Sequence, residues 1–171
     1  MCLFSKCCRY RGLPVIWTDK IPASKRFKLL LDGEAVLDKE TGLVWERKPD
    51  EGTYNWNSAV VYCRHKAIGG RMGWRLPAVD ELASLIDADQ SLPVLPPNGH
   101  PFDFGSGMPT YWAATLAPYN LRSFGGQPSL PGATGVAYSV IQGSSGQLLD
   151  SENVATELRA WCVRGGFNSS I

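Results

Sequence analysis

The chain is poor in the residues from which most catalytic and metal centres are built. Among 171 residues it has two histidines, His65 in an expected helix and His100 in a proline-rich loop. That is too little material for a histidine metal site or a Ser-His-Asp triad. No Gly-rich phosphate loop ends in Lys-Ser or Lys-Thr. Gly143-Ser144-Ser145-Gly146 lacks the Gly-x-Ser-x-Gly order of a nucleophile elbow and reads as a hairpin turn. No uncharged apolar run approaches the ~20 residues of a membrane-spanning helix. No internal repeat is present. These gaps argue against an enzyme and against a membrane span.

What is there is apolar and loop-forming. Apolar residues make up 44% and charged residues 19% of a length suited to one domain, enough to fill a core. Eighteen Gly, twelve Pro and six Trp fit a loop-rich α+β domain better than a helix bundle. The net charge of +1 is unevenly spread. Residues 1–28 carry seven Lys/Arg against Asp19, and residues 29–171 carry ten against fifteen Asp/Glu. A basic head of +6 thus precedes a body of −5, and that body argues against binding nucleic acid. Residues 1–26 are expected to be a poorly ordered basic leader or tail, and 27–171 a single domain. The leader gives no clear signal peptide, because the apolar stretch Leu13–Trp17 is short and contains Pro14. Cys2, Cys7 and Cys8 lack a lipoprotein arrangement and complete no zinc site.

Local patterns place the elements. Glu34 to Glu46 reads as a hairpin turning at Gly42, with Leu43 and Trp45 facing one core. Asn55 is suited to cap a helix running to about Ala67, in which Trp56, Ala59, Val60 and Cys63 share a stripe. A second helix is expected to start near Pro77, in a first-turn position, with Val79, Leu82, Leu85 and Ile86 apolar. Residues 88–110 and 116–135 are long loops around Tyr111–Thr115, which reads as core at Tyr111 and Trp112. Strands follow at Val136–Ile141, Gln147–Leu149 and Arg159–Arg164, the last alternating Trp161 and Val163 with Ala160 and Cys162. Spacing leaves Cys63 and Cys162 open to either a disulfide or two buried thiols.

These segments also resemble a known family. Asp38-x-x-Thr41-Gly42-Leu43-x-Trp45, Trp56-x-x-Ala59-x-x-Tyr62-Cys63, Gly69-Gly70 and Gly73-Trp74-Arg75-Leu76-Pro77 occur in the family's order. So do Glu81-Leu82-x-Ser84-Leu85-Ile86-Asp87 and Cys162-Val163-Arg164-Gly165-Gly166. Tyr111-Trp112-Ala113-Ala114-Thr115 departs by two alanines where the family has serines. The chain is similar over about residues 27–166 to the Lcl C-terminal domain family, named for the carboxyl end of the Legionella collagen-like adhesin. The resemblance implies a C-type-lectin-like fold, with two helices packed on small twisted antiparallel sheets. It implies a Cys63–Cys162 disulfide and a surface-displayed, extracellular or virion-associated protein. It also makes Trp45, Trp56, Trp74, Arg75, Pro77, Trp112, Trp161 and Arg164 structural signature residues, with Arg75 expected to pair with a carboxylate or carbonyls.

The expected function is non-catalytic recognition of a glycan or a surface protein. Tyr119, Asn120, Arg122, Phe124, Gln127 and Tyr138 are the candidate contacts, combining aromatic planes with directional hydrogen bonds. No cofactor is required. A calcium ion at Asp87, Asp89 and Asp103 is the weaker alternative, since three loop carboxylates without a fixed motif more often form a solvated rim. Other readings are an assembly domain, forming a homo-oligomer such as a trimer, and a receptor-binding protein whose loops are diversified by a retroelement.

Overall fold

The computed structural model describes residues 21–85, 99–105, 110–116, 136–141 and 149–165, with only the backbone of 136–141 and 149–151. It opens with one helical turn, α1 (Ala23–Arg26), running directly into β1 (Phe27–Leu30). The charge count groups these four helical residues with the basic leader, yet Ala23 and Arg26 are buried. Arg26 reaches inward because two groups await it. Its Nε and Nη2 donate to the two Asp38 carboxylate oxygens at 2.9 and 2.7 Å, and Nη2 also donates to the Ser84 carbonyl at 2.8 Å. The folded unit therefore begins before Phe27.

The expected hairpin forms as β2 (Ala35–Asp38) and β3 (Val44–Glu46). Gly42 takes a φ of 73°, which only glycine adopts without strain. Asp38 closes the turn by accepting from the Glu40 amide and the Thr41 hydroxyl. The first sheet runs β1-β2-β3-β9, all antiparallel, with β9 being Val163–Arg164. The second runs β4 (Thr53–Tyr54), β8 (Leu158–Arg159), β5 (Thr110–Leu116), β6 (Val136–Ile141) and β7 (Leu149–Asn153). Among the described residues, only β5 and β8 pair in parallel, through Tyr111 and Arg159. The molecule is thus an α+β protein with small, mainly antiparallel sheets.

Helix α2 spans Trp56–His65, and the Asn55 side chain accepts from the Ser58 amide at its start. Ala59 and Cys63 are its buried residues, as the 3.6-residue period requires. Helix α3 is shorter than its sequence pattern suggests, Val79–Ala83. Pro77 lies before it and outside the first turn, a correction to the expectation. Its carbonyl instead accepts from the Ala114 amide at 2.7 Å, which ties the approach to α3 onto β5. Glu81 accepts from the Ala78 amide at 2.7 Å, the half of a capping box that an alanine cap permits.

The closing segment also departs from expectation. Arg159–Arg164 is not one strand but two short ones in different sheets, β8 and β9, joined by Ala160–Cys162. Alternation still governs it: Trp161 and Val163 enter one apolar cluster, Ala160 and Cys162 the other. β5 divides similarly, sending Tyr111 and Ala113 to the first cluster and Trp112 to the second. The register of β5 against β6 shifts between Trp112 and Leu116. In that interval the Ala113 carbonyl accepts from Trp56 Nε1 at 2.9 Å and the Ala114 amide donates to Pro77. The irregularity thereby attaches both helical segments to the sheet.

Arg75 fastens the remaining seam. It donates to both Glu81 oxygens at 2.7 Å and to the carbonyls of Leu76 and Gly165, while its backbone exchanges two bonds with Val163. Cys63 and Cys162 form a disulfide between α2 and the residue before β9, across 99 positions. A loop of that order is worth up to about 4.7 kcal/mol on the chain-entropy account. Replacing both cysteines by alanine is expected to cost about 2–5 kcal/mol in urea unfolding without reductant. The deficit should largely disappear when both proteins are unfolded in excess dithiothreitol; equal non-reducing midpoints would show that the bond adds no stability.

Candidate functional site

A polar array surrounds the end of α2. Tyr54, at the end of β4, stacks on Tyr62 of α2 with ring centres 4.6 Å apart and planes inclined by 26°. The Tyr54 hydroxyl donates to Asp50 Oδ2 at 2.6 Å. The Tyr62 hydroxyl accepts from Lys66 Nζ at 2.6 Å, and the ammonium lies 4.6 Å from the Tyr62 ring centre. Lys66 also donates to Glu46, a buried carboxylate of β3 whose other oxygen accepts from the Cys162 amide at 3.4 Å. One connected set of side chains therefore runs from the second sheet, across α2, to the backbone of the disulfide.

Burial sets the ionisation of this set. Loss of water pushes the Glu46 carboxyl above its ordinary 4.5, against the pull of Lys66. The Tyr54 hydrogen bond holds Asp50 below its ordinary 3.8. Burial, reinforced by Asp50 at Tyr54 and by Glu46 at Tyr62, raises both phenols well above 10. At neutral pH the phenols thus keep their protons and Asp50 is a carboxylate. His100 is pushed below 6.5 by burial, and its Nδ1 accepts from the Phe102 amide at 3.2 Å.

Two open concavities flank the array. One, of about 390 Å³, lies on the Glu46–Lys66 side and is bounded by Glu34, Arg47, Lys48 and Asp103. Most of its charges are already engaged: Arg47 donates to the Pro101 and Gly33 carbonyls, Glu34 accepts from the Gly69 amide, and Lys48 faces Asp103 at 3.6 Å. The other, of about 370 Å³, is lined by Tyr54, Asn57, Ser58, Val61 and Tyr62.

The sequence-derived candidates fall unevenly. Tyr119, Asn120, Arg122, Phe124 and Gln127 lie outside the described residues, as do Asp87 and Asp89. Tyr138 pairs with Ser151 within the β6–β7 ladder. Asp103 is exposed and faces Lys48. Among the described residues no group of three or more His, Cys, Asp or Glu gathers as metal ligands do. Trp45, Trp74, Pro77, Trp112 and Trp161 are buried, Trp56 and Arg75 partly so, and all bear on packing or backbone bonds. Arg164 is exposed, beside Gly73. Tyr111 and Trp112 are core, as expected, and burial pushes the Tyr111 phenol up to about 12 against the opposing charge of Arg159. No hydrogen bond of ordinary geometry closes on the Tyr111 hydroxyl or on Trp45 Nε1. Sequence reasoning missed the Tyr54–Tyr62–Lys66 set; its signal was Lys66 one helical turn beyond Tyr62, with Tyr54 just ahead of the Asn55 cap.

The two small sheets, the short helices and the Cys63–Cys162 disulfide define an α+β fold, and the sequence places it more narrowly. The family model described as the Lcl C-terminal domain matches residues 34–164, and the chain belongs to that family. Comparison with curated proteins and with solved structures gave no match. No helix among the described residues is long and apolar enough to cross a membrane.

Glu46 provides a test of the array through pH. Its folded-state value exceeds the ordinary 4.5, so as pH falls from neutral through that value the folded state binds a proton before the unfolded chain does. Stability contributed by this group rises accordingly. Urea midpoints at pH 7 and pH 5 are expected to show wild type gaining relative to Glu46→Gln on acidification. A constant difference would mean that the Lys66 pairing cancels the desolvation.

Proposed function

We propose that the chain is a non-catalytic recognition module of C-type-lectin-like architecture, displayed at a cell or virion surface, that binds a glycan or a surface protein through loops of its second half. The observation that carries this reading is how segment 117–135 is mounted. It leaves β5 at Leu116 and re-enters β6 at Val136, with Leu116 paired to Ala137. Behind that exit, Tyr111 and Trp112 are fully packed and the Val79 amide donates to Thr115 at 3.0 Å. A long connection carried on a fixed base is the usual arrangement of a binding loop, with the scaffold holding the ends and the side chains free to vary. Tyr119, Asn120, Arg122, Phe124 and Gln127 supply aromatic and directional polar groups on this connection. Family membership and the disulfide, a bond that persists in oxidising compartments, support surface display.

The test is binding of the full chain to a broad glycan array, with calcium and with chelator. A saturable, chelator-resistant signal is expected. Changing Tyr119, Arg122 and Phe124 together to Ala is expected to weaken the strongest array ligand by roughly tenfold or more. Undiminished binding by that folded variant would remove these loops as the site. A folded wild-type chain with no signal on any glycan would direct the search to a protein receptor or an assembly partner.

A further inference from the structure

Among the described residues, the Tyr54–Tyr62 concavity is lined by α2 and β4 alone. Its composition is unusual for idle surface. Stacked Tyr54 and Tyr62 supply its aromatic surface, and Val61, 52% exposed and adjacent to Tyr62 in α2, extends it. Around this floor stand polar groups with unspent capacity. The Tyr54 hydroxyl is already engaged, donating to Asp50 Oδ2 and hydrogen-bonded with the Tyr62 side chain. Among the described residues, neither the Asn57 amide nor the Ser58 hydroxyl makes a hydrogen bond; only the Ser58 backbone is used, by the Asn55 cap.

Gly52 shows that the Asp50–Tyr54 contact is built closely. A Cβ at Gly52 would come within 3.0 Å of the Tyr54 hydroxyl and 3.1 Å of Asp50 Oδ2. Any side chain there displaces one of the two polar groups. The hydrogen bond keeps Asp50 ionised, so its carboxylate is an acceptor only.

We propose that this concavity is a second, separate binding site, for a neutral pyranose ring of a glycan. The chemistry of the floor and rim selects that class. An aromatic face carries a negative quadrupole and attracts weakly polarised C–H groups, which one face of a pyranose presents together. The rim offers both donor and acceptor at Asn57 and Ser58, matching equatorial hydroxyls that both donate and accept. Among the described residues no cation lines the concavity, so sulfate or phosphate groups find no charge to pair with there. Its volume of about 370 Å³ lies in the ~300–1,000 Å³ range of small-ligand sites. The ledge is shallow, so a single ring is expected to bind with a dissociation constant of roughly 1 mM, in the weakest range of specific association.

The test uses the full chain and named probes: the methyl glycosides of glucose, galactose, mannose and N-acetylglucosamine, with chitotriose as an extended ligand. Saturation-transfer NMR is expected to show contact through ring C–H protons for at least one probe, unchanged on adding 0.5 M NaCl. Four single variants at three exposed or half-exposed positions locate it. Val61→Arg, which covers the ledge without touching the core, should abolish transfer; Asn57→Ala should weaken binding severalfold. Tyr54→Ala should lose roughly tenfold or more, while Tyr54→Phe retains part of the affinity. Retention of binding in the Tyr119/Arg122/Phe124 triple variant would separate this site from the loops. The proposal is overturned if no probe shows transfer, if Val61→Arg binds like wild type, or if only the loop variant loses the signal. Salt-sensitive binding would equally overturn it.

Discussion

Residues 160–163 are buried among both apolar clusters, and a segment in that position has no solvent to satisfy its backbone. The surrounding structure supplies the missing partners one by one. The Cys162 carbonyl accepts from the Glu46 amide, and its amide donates to the Glu46 carboxylate. Val163 exchanges both of its backbone bonds with Arg75, and Trp161 Nε1 donates to the Glu46 carbonyl at 2.8 Å. The Trp161 ring meets Trp45 and Tyr111 at tilted angles and Phe102 and Phe104 edge-on, with centres 4.9–5.4 Å apart. Each neighbouring element thus has a definite obligation to this short stretch. An unsatisfied buried backbone group would cost about 1–3 kcal/mol.

Much of this was legible in the sequence because its causes are local. The β2–β3 hairpin follows from Gly42 and the alternation of Leu43 and Trp45; α2 follows from the Asn55 cap and its apolar stripe. The alternation in 160–163 was visible too, but strand assignment was wrong because period two records facing, not hydrogen-bond partners. Arg159 and Val163 pair with different sheets, a choice made by distant residues. Pro77 was misplaced for a similar reason: a tertiary bond to Ala114 fixed its position. Arg26 looked like part of a solvated basic head, and only the fold reveals Asp38 and the Ser84 carbonyl opposite it.

The site was less legible than the scaffold. The Arg75 pairing could be anticipated in kind, with Glu81 as the actual carboxylate. The array of Tyr54, Tyr62, Lys66 and Glu46 could not, because it assembles across a strand, a helix and a hairpin with unrelated sequence periods. Tyr62 alone of these belongs to a family motif, and most motif residues, such as Trp74 and Trp112, serve the interior. Residues that face outward carry weaker sequence signals, because the period of the core does not constrain them.

The hairpin base at Leu116 and Ala137 has a further consequence for how such domains diversify. Once the two ends of a connection are held together, lengthening it adds closure entropy only logarithmically, about 0.6 kcal/mol for each doubling. Insertions between β5 and β6 therefore meet little thermodynamic resistance, whereas an equal change within 160–163 would orphan several buried groups at once. A change of length is thus cheap in one stretch and costly in the other.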